Sequence, residues 1–433
     1  MKKRAAVERK NQGPTTPEVS MVLQQLTLPL LMAVEATKKG LYAFIQQMGM
    51  LALSELLAAE AERIAGPKGR HASEREYHHW GSATTTLPFG GRHVSVERPR
   101  VRGKGKGSKE VELPSLQTLR ETDPMTERVL EQIAVGVSTR GYERSLEEVE
   151  DETMETRATS KSNISRSLID GTTEKLAEFL NRKLDDLKLV AIFIDGIEVA
   201  KHAVVIALGI TRDGTKEPLG VWAGSTENAT LATGLLQNLI ERGMRISEKT
   251  LFVIDGGKGI RKAINQVFGN QALVQRCQVH KLRNVRDHLP EARRAHVTRQ
   301  MREAYKSRNA STAKKMLVQL ASWLEANGEE SAAESLREGL DETLTVLRLG
   351  LPAILVRSFS TTNAIENLNG TIRRVLRNVK RWRGEGMIRR WVALGIAEAQ
   401  RGFRRIKGYK QIGTLVVALA AGDKTMVEQR KVA

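Results

Sequence analysis

Residues 189–199, LVAIFIDGIEV, mark the point where the hydrophobic pattern of the chain changes from helical spacing to a continuous apolar run. A short apolar run rich in β-branched residues predicts a buried strand. We interpret Asp195 as the carboxylate at the end of that strand. An ionised carboxylate in such a setting is costly unless it is paired or bound to a metal, although Asp-Gly after a strand is also a common turn.

The sequence that follows predicts the rest of a sheet. Two further strands, HAVVIALGI and EPLGVWAG, are joined by TRDGTK, in which Asp213-Gly214 predicts a tight turn. A helix, a strand that ends in Asp255, a second helix and a short strand, ALVQRCQV, come next. The order of elements is three strands, a helix, a strand, a helix and a strand. This order predicts a mixed sheet with helices packed on it. Asp255 is either a functional carboxylate or the N-cap of the helix that begins near Lys258.

The regions on either side of this sheet are mainly helical. Apolar spacing predicts two helices within residues 17–65, whereas residues 66–118 predict a small β element with a basic loop, RGKGKGSK. That loop either contacts the phosphates of a nucleic acid or is a solvated linker. Downstream, residues 281–355 predict helices without strands, which we interpret as an insertion into the sheet domain.

Three helices are predicted within residues 119–185, the third with Ser160 as a candidate N-cap. Two short helices and a turn before a helix favour a helix-turn-helix that binds DNA, although many helical bundles share this pattern. In the DNA-binding interpretation, Ser162, Asn163 and Arg166 face a groove.

We therefore expect a multidomain α/β protein with a mainly helical DNA-binding region before the mixed-sheet domain. The predicted segments are residues 1–65, 66–118, 119–185, 186–282, 283–355, 356–410 and 411–433.

The charge of the chain indicates a polyanionic partner. The 433 residues carry a formal net charge of +19, and nucleic acid is the usual partner of such an excess, although a generally basic protein is the alternative. The excess is clustered, because residues 371–410 hold 13 Lys or Arg against two acids, Glu385 and Glu398. A single cysteine, Cys277, excludes an intrachain disulfide and a Cys-rich zinc module. Without a secretory signal or an apolar run of membrane-spanning length, we expect a cytoplasmic, nucleoid-associated protein with no membrane partner.

The helix that begins near residue 363 combines an acid with a run of cations. Asn363 as N-cap with Glu366 at the third position resembles a capping box. Capping does not explain the cations that follow Glu366, which we expect to position DNA: Arg373, Arg374, Arg377, Lys380 and Arg381. A carboxylate beside a phosphate repels it unless a divalent cation lies between them, so Glu366 is a candidate metal ligand.

Asp195, Asp255 and Glu366 together suit two Mg²⁺ ions, with Mn²⁺ as a substitute, because Mg²⁺ prefers oxygen ligands and retains water and phosphate in its shell. Two such ions support in-line displacement at phosphorus.

Several stretches together resemble one known family, the Mutator-type DDE transposases of bacterial insertion sequences. They are FIDGIEVAKHAVVIALGI, VIDGGKGIRKAI, VQRCQVHKLRNV, TTNAIENLNGTIRRVLRNVKRW and FRRIKGY. The resemblance covers most of the chain and is strongest over residues 189–410. It implies an RNase H-like catalytic core with an all-α insertion, and an acidic triad at Asp195, Asp255 and Glu366.

The resemblance also implies a family-typical Cys-x-x-His, here Cys277 and His280, as neighbours of the active site. Zinc needs four ligands and no second cysteine exists, so we expect His280 to contact phosphate or a catalytic water, or to be structural. Lys258 and Arg261, at a helix start, are candidate phosphate contacts. Lys281 and Arg283 are further DNA-contact candidates.

The predicted function is that of a transposase that binds double-stranded DNA at terminal inverted repeats, cleaves a strand and joins it to target DNA, acting as at least a homodimer on DNA. A metal-dependent nuclease of the same fold that does not join DNA is one alternative. A catalytically inactive DNA-binding protein is the other.

Overall fold

The computed structural model of the protein describes residues 38–70, 75–89, 91–105, 107–121, 124–146, 154–155, 159–226, 228–246 and 249–431. The described residues form two compact units. The first comprises those up to 133 and from 137 to 168, and the second those of 134–136 and from 169 onward. Among the described residues no helix has both the length and the apolarity needed to cross a membrane.

The first unit contains a helix packed on a long β-hairpin. Its elements are α1 (Lys38–Ala65), β1 (Tyr77–Phe89), β2 (Arg92–Gly103), β3 (Glu110–Val111), α2 (Pro114–Glu121), α3 (Pro124–Val135), β4 (Met154–Glu155) and the start of α4 (Lys161–Asn181). Leu57 and Ala61 of α1 pack against Leu87, Val94 and Val101 of the hairpin, and this apolar cluster is the core of the unit.

Part of the helical prediction for this unit is confirmed. Helices α3 and α4 lie where predicted, and Ser160 precedes α4 with its hydroxyl 3.4 Å from the backbone N–H of Asn163. The predicted middle helix, RGYERSLEEVE, is wrong where the chain is described, because it contains only a 3-10 turn at Glu143–Ser145. Strand β4 was not predicted, and the first of the two helices predicted within 17–65 falls largely outside the described residues.

The second unit is built on a five-stranded mixed sheet. Its strands are β5 (Leu189–Val199), β6 (His202–Thr211), β7 (Lys216–Gly224), β8 (Thr250–Ile254) and β9 (Ala272–Arg276). The spatial order is β7-β6-β5-β8-β9, in which β5, β6 and β7 are antiparallel while β8 and β9 run parallel to β5. The predicted order of strands and helices is confirmed, including the β6–β7 turn, where Gly214 adopts a φ of +85°.

Helices cover both faces of this sheet. One face packs on α5 (Ala229–Glu241) and α6 (Lys258–Phe268). The other face packs on α13 (Ala353–Phe359), α14 (Asn363–Leu376), α15 (Glu385–Arg401) and α16 (Ile412–Lys431). Gly395 lets α15 approach α14 closely, because a Cβ at this position would lie 3.0 Å from the Cα of Ile372.

A block of helices separates β9 from α13, as predicted. It consists of α7 (Gln278–Asp287), α8 (Glu291–Lys306), α9 (Ala310–Ala326), α10 (Glu330–Arg337), α11 (Leu340–Thr343) and α12 (Thr345–Arg348). Leu317, Leu324 and Leu336 lie in its separate apolar core. Buried hydrogen bonds attach the block to β9, since Gln275 Nε2 donates to the carbonyl of Thr343 at 2.8 Å.

We predict that Phe359→Ala lowers the free energy of unfolding by about 3–5 kcal/mol, because truncation of a fully buried aromatic ring leaves a cavity. Phe359 is 0 % exposed and stacks on Phe193 of β5 at a centroid distance of 6.0 Å. Chemical denaturation measures the change. Ile354→Ala, on the same helix but 42 % exposed, is the control and should cost less than about 1 kcal/mol. Equal losses from both variants would contradict this packing.

Candidate active site

Asp195 lies within β5, and Asp255 immediately follows the parallel strand β8. The last paired residues of β5 and β8 are Ile194 and Ile254, so the two aspartates occupy the next equivalent positions. Neighbouring strands are about 4.8 Å apart, which makes the aspartates direct neighbours on one face of the sheet. The prediction that Asp195 ends its strand is wrong, because β5 continues to Val199 through its antiparallel pairing with β6.

A buried hydrogen bond connects Asp195 to helix α14. The side-chain amide of Asn369 donates from Nδ2 to Asp195 Oδ2 at 2.8 Å. Asn369 is fully buried, Asp195 is 8 % exposed, and the two residues are 174 positions apart in the chain. Asn369 Oδ1 is buried without a hydrogen-bond partner among the described residues. This bond joins α14, the helix that also carries Glu366, to β5.

Burial, followed by the negative charge of Asp255, raises the pKa of Asp195 to about 6. Hydrogen bonds from the Gly196 backbone and the Asn369 amide, and the charge of His280, act in the opposite direction but are weaker. Two carboxylates in one poorly solvated site repel each other, so the site favours a bound proton or a cation.

Glu366 lies in the first turn of α14 and is held by Thr362. The Thr362 hydroxyl donates to Glu366 Oε1 at 2.8 Å, and the Thr362 carbonyl accepts the Glu366 N–H at 2.9 Å. The predicted capping box is wrong, because the helix is preceded by Thr362 and not by Asn363, and Thr362 makes no side-chain cap to the helix backbone. The hydroxyl is directed to the carboxylate instead.

Cys277 and His280 lie beside Glu366. The Thr362 hydroxyl is 3.4 Å from Cys277 Sγ and 3.3 Å from His280 Nδ1, and His280 Nε2 is 3.7 Å from Glu366 Oε1. Burial would raise the pKa of Cys277, but hydrogen bonds from His280 and Thr362 outweigh it and lower the pKa. The same hydrogen bond with Cys277 raises the pKa of His280, opposed by burial and assisted by the charges of Cys277, Glu366 and Asp255. The charges of Glu366 and Asp255 thus favour the protonated form of His280.

The carboxylates fit a divalent metal in part. Among the described residues, no group of three or more His, Cys, Asp or Glu side chains is arranged so that it could hold one ion. Asp195 and Asp255 nevertheless form a repelling pair of oxygen donors, which is the chemistry that suits Mg²⁺. Glu366, whose side chain is 36 % exposed, is turned toward Thr362 and His280.

Most of the predicted DNA-contact residues lie on the surface. Arg373, Arg377, Lys380 and Arg381 are exposed, while Arg374 is 3.2 Å from Glu398. In the first unit, Ser162 and Arg166 are exposed on α4, and Arg166 donates to Asn163 Oδ1 at 2.7 Å.

Some of the predicted DNA-contact cations near α6 and α7 bind groups within the protein instead. Lys281 is buried, and its ammonium donates to the carbonyls of Ser335 and Glu338 at 2.6 Å each. Arg261 donates to Glu342 at 2.6 Å, whereas Lys258 and Arg283 are exposed. Lys281 is therefore not available to a phosphate, and it is not among the DNA contacts that we propose.

Two residues of the site were not predicted from the sequence. Asn369 looks like an ordinary polar helix residue, and only its position three residues after Glu366 could have drawn attention to it. Thr362 belongs to the TTNAIENLNG stretch but carries no signal of its own, since its role depends on contacts with residues about 85 positions earlier in the chain.

Comparison with known proteins places the chain in a family. The chain matches the family described as "Transposase, Mutator family" over residues 21–405, and it belongs to that family. It is 28 % identical over 343 residues to a probable transposase for an ISRM3-like insertion sequence element of Sinorhizobium fredii, covering 76 % of this chain and 80 % of the relative.

Two further relatives carry similar names. The transposase for ISRM5 of Rhizobium meliloti is 31 % identical over 341 residues, covering 74 % of this chain and 79 % of the relative. The transposase for IS256 in transposon Tn4001 of Staphylococcus aureus is 28 % identical over 259 residues, covering 57 % of this chain and 62 % of the relative. The family acts on DNA, and the resemblance stated from the sequence is confirmed.

The raised pKa of Asp195 predicts that the metal-free protein loses stability as pH rises from about 4 to 6. Asp195 titrates near 3.8 when unfolded and about 6 when folded, so the folded state binds more protons in that interval and the free energy of unfolding falls. We predict that Asp195→Asn is more stable than the wild type above pH 6, by up to about 3 kcal/mol.

Denaturation in EDTA at pH values from 4 to 8 measures this difference. Glu198→Gln is the control, because Glu198 is exposed on the same strand and should leave the pH profile unchanged. Parallel profiles for the wild type and Asp195→Asn would contradict the raised pKa.

Proposed function

We propose that this protein is a DDE transposase whose second unit is an RNase H-like catalytic core, with Asp195, Asp255 and Glu366 as its acidic triad. Two observations carry the proposal. Asp195 and Asp255 occupy equivalent positions next to each other in the sheet, and the Asn369–Asp195 hydrogen bond joins Asp195 to α14, the helix that carries Glu366. The strand order, in which a three-stranded antiparallel meander continues into two parallel strands, supports the RNase H-like assignment.

The proposed reaction has two displacements at phosphorus. In the first, water attacks a phosphodiester, a P–O bond forms, the P–O3′ bond breaks, and the strand is left with a 3′-hydroxyl. In the second, that hydroxyl loses its proton and attacks a target phosphodiester, and the target strand's own 3′-oxygen leaves with a proton. Two Mg²⁺ ions, when bound, stabilise the attacking and leaving oxygens of such displacements, and Mn²⁺ can replace them.

The side chains of the site have separate tasks in this proposal. Asp195 and Asp255 would hold both ions, and Asn369 keeps an oxygen of Asp195 in a fixed orientation. Glu366 would complete the ligand set from the helix. His280, whose Nε2 lies 3.7 Å from Glu366 Oε1, would donate a hydrogen bond to a phosphate oxygen or a water beside Glu366.

The surrounding cations would position DNA. Arg373 and Arg377 follow Glu366 along α14 and are exposed, so a backbone that places one phosphate at the carboxylates would pass them. We assign DNA contact also to Lys258, Arg283, Lys380 and Arg381. Ser162, Asn163 and Arg166 of the first unit would contact the terminal inverted repeats. Pairing of the two element ends calls for at least a dimer on DNA.

A strand-transfer assay tests the reaction. A labelled duplex with the end of the element, taken from DNA that flanks the gene, is mixed with plasmid and Mg²⁺. We predict that Glu366→Gln lowers the joined product by at least about 100-fold, the scale of losing one preorganised polar group at a transition state. Glu385→Gln is the matched control, because Glu385 is an exposed acid in the first turn of α15, and it should retain activity.

The outcomes separate the alternatives. Metal-dependent joining by the wild type and by Glu385→Gln alone supports the transposase. Cleavage without joining identifies a nuclease, and DNA binding without either reaction identifies a non-catalytic DNA-binding protein. Equal joining by Glu366→Gln and the wild type would remove Glu366 from the triad.

The salt dependence of binding tests the DNA contacts. We predict that Arg373→Ala combined with Arg377→Ala reduces the slope of log affinity against log salt by about 0.9 for each phosphate that the protein no longer neutralises. Fluorescence anisotropy of a labelled duplex between about 50 and 200 mM salt, an interval over which several phosphate contacts cost orders of magnitude in affinity, gives the slope. Lys315→Ala, an exposed cation on α9, should leave it unchanged. An unaltered slope in the double variant would exclude these contacts.

A further inference from the structure

A large cleft opens within the second unit, between helices α7 and α8 on one side and α12 and α13 on the other. Its volume is about 940 Å³, near the upper end of the range of ligand pockets in proteins. Neither of the two proposed displacements requires this cleft. Leu282, Leu347, Leu351 and Val356 contribute apolar surface to its lining.

The rim of the cleft is cationic, and none of the described residues that line it is an acid. Six basic side chains line it: Arg283, Arg286, Arg302, Lys306, Arg308 and Arg357. Within the described part of the chain, five of these side chains make no ion pair or hydrogen bond. The sixth, Arg286, makes one long ion pair, at 3.9 Å, with its neighbour Asp287. Crowded like charges without partners attract an anion, and a concave surface concentrates that attraction.

Buried hydroxyl groups line the inner wall of the cleft. Ser360 is 3 % exposed, and its Oγ has no hydrogen-bond partner among the described residues; the same holds for Oγ1 of Thr361. A buried polar group without a partner is costly, so these hydroxyls favour a ligand that brings polar atoms. A simple inorganic anion would satisfy the rim but would leave the apolar lining uncovered.

The cleft adjoins the carboxylates. Ser360 and Thr361 immediately precede Thr362, whose hydroxyl donates to Glu366. Gln278 also lines the cleft, follows Cys277, and donates its N–H to the carbonyl of Ser360 at 2.9 Å. The cleft and the acidic site therefore share one wall of the protein.

We propose that this cleft receives a single unpaired nucleotide of the DNA strand whose phosphate lies at Asp195, Asp255 and Glu366. The flat apolar faces of the base would lie against the leucine and valine side chains, its polar edge would meet Ser360 and Thr361, and the flanking phosphates would contact the cationic rim. The proposal rests on the proposed function and adds a distortion of the duplex next to the reacting phosphate, because the base must leave the stack.

The binding preference for an unpaired base tests this proposal without any catalysis. Two hairpin duplexes of the same sequence, one fully paired and one with a single-nucleotide bulge, are titrated with the full-length protein in EDTA. The wild type should bind the bulged duplex about tenfold more tightly, which corresponds to about 1.4 kcal/mol of additional contact free energy. Fluorescence of 2-aminopurine at the bulge should change on binding.

Variants of the rim locate the effect. The double variant Arg302→Ala, Arg357→Ala should lose the preference for the bulge. Both residues are exposed, so the fold should tolerate the changes, and binding of the paired duplex should stay within about threefold, the scale of removing one phosphate contact. Arg299→Ala is the matched control, because Arg299 lies one turn before Arg302 on α8, is exposed and does not line the cleft.

Each outcome decides the proposal. Equal affinity of the wild type for both duplexes, or an unchanged preference in the double variant, overturns it. Displacement of the bulged duplex by free deoxyadenosine monophosphate at micromolar concentration also overturns it, since the cleft would then be a site for free nucleotides. Strand transfer without a bulge preference would remove this proposal alone, whereas a bulge preference without strand transfer would remove the transposase reaction alone.

Discussion

The second unit depends on keeping a carboxylate inside an apolar sheet. Asp195 lies among Phe193, Ile197 and the packed residues of α14, where its charge is poorly solvated. The hydrogen bond from Asn369 compensates part of that cost, and a bond to a charged group is worth about 1.5–3 kcal/mol. The negative charge of Asp255 adds to the cost of ionising Asp195. The protein thus retains a repulsion that a cation would relieve, and helix α14 carries both the stabilising amide and the third acid.

The helical block between β9 and α13 is attached to the sheet by polar groups. Gln275 on β9 is fully buried; it donates to the carbonyl of Thr343 and accepts the N–H of Val346 at 2.9 Å. Glu342 joins Arg261 and Arg276 through two short ion pairs. Because such groups need well-matched partners, they orient the block more specifically than apolar contacts would. The orientation of the block in turn sets the positions of the cleft wall and of the loop before α14.

The order of strands and helices in the second unit could be predicted because apolar runs and helical spacing are local properties of the sequence. Asp195 was correctly chosen but misplaced at a strand end, since only the pairing with β6 shows that β5 continues. The capping box failed for a related reason. Thr362 and Asn369 act through contacts with residues far away in the chain, and the burial of Lys281 depends on carbonyls of α10 and the residue that follows it. None of these contacts leaves a pattern in the sequence.

The chain separation of 174 residues between Asp195 and Asn369 has a consequence for biosynthesis. At 5–20 residues per second, a ribosome needs roughly 9–35 s to reach Asn369 after it has added Asp195. Throughout that interval the face of the nascent sheet that carries Asp195 lacks α14, and with it both Asn369 and Glu366. An incomplete chain therefore cannot assemble the three acids, and translation that stops before α14 yields a product that lacks the third acid of the proposed site.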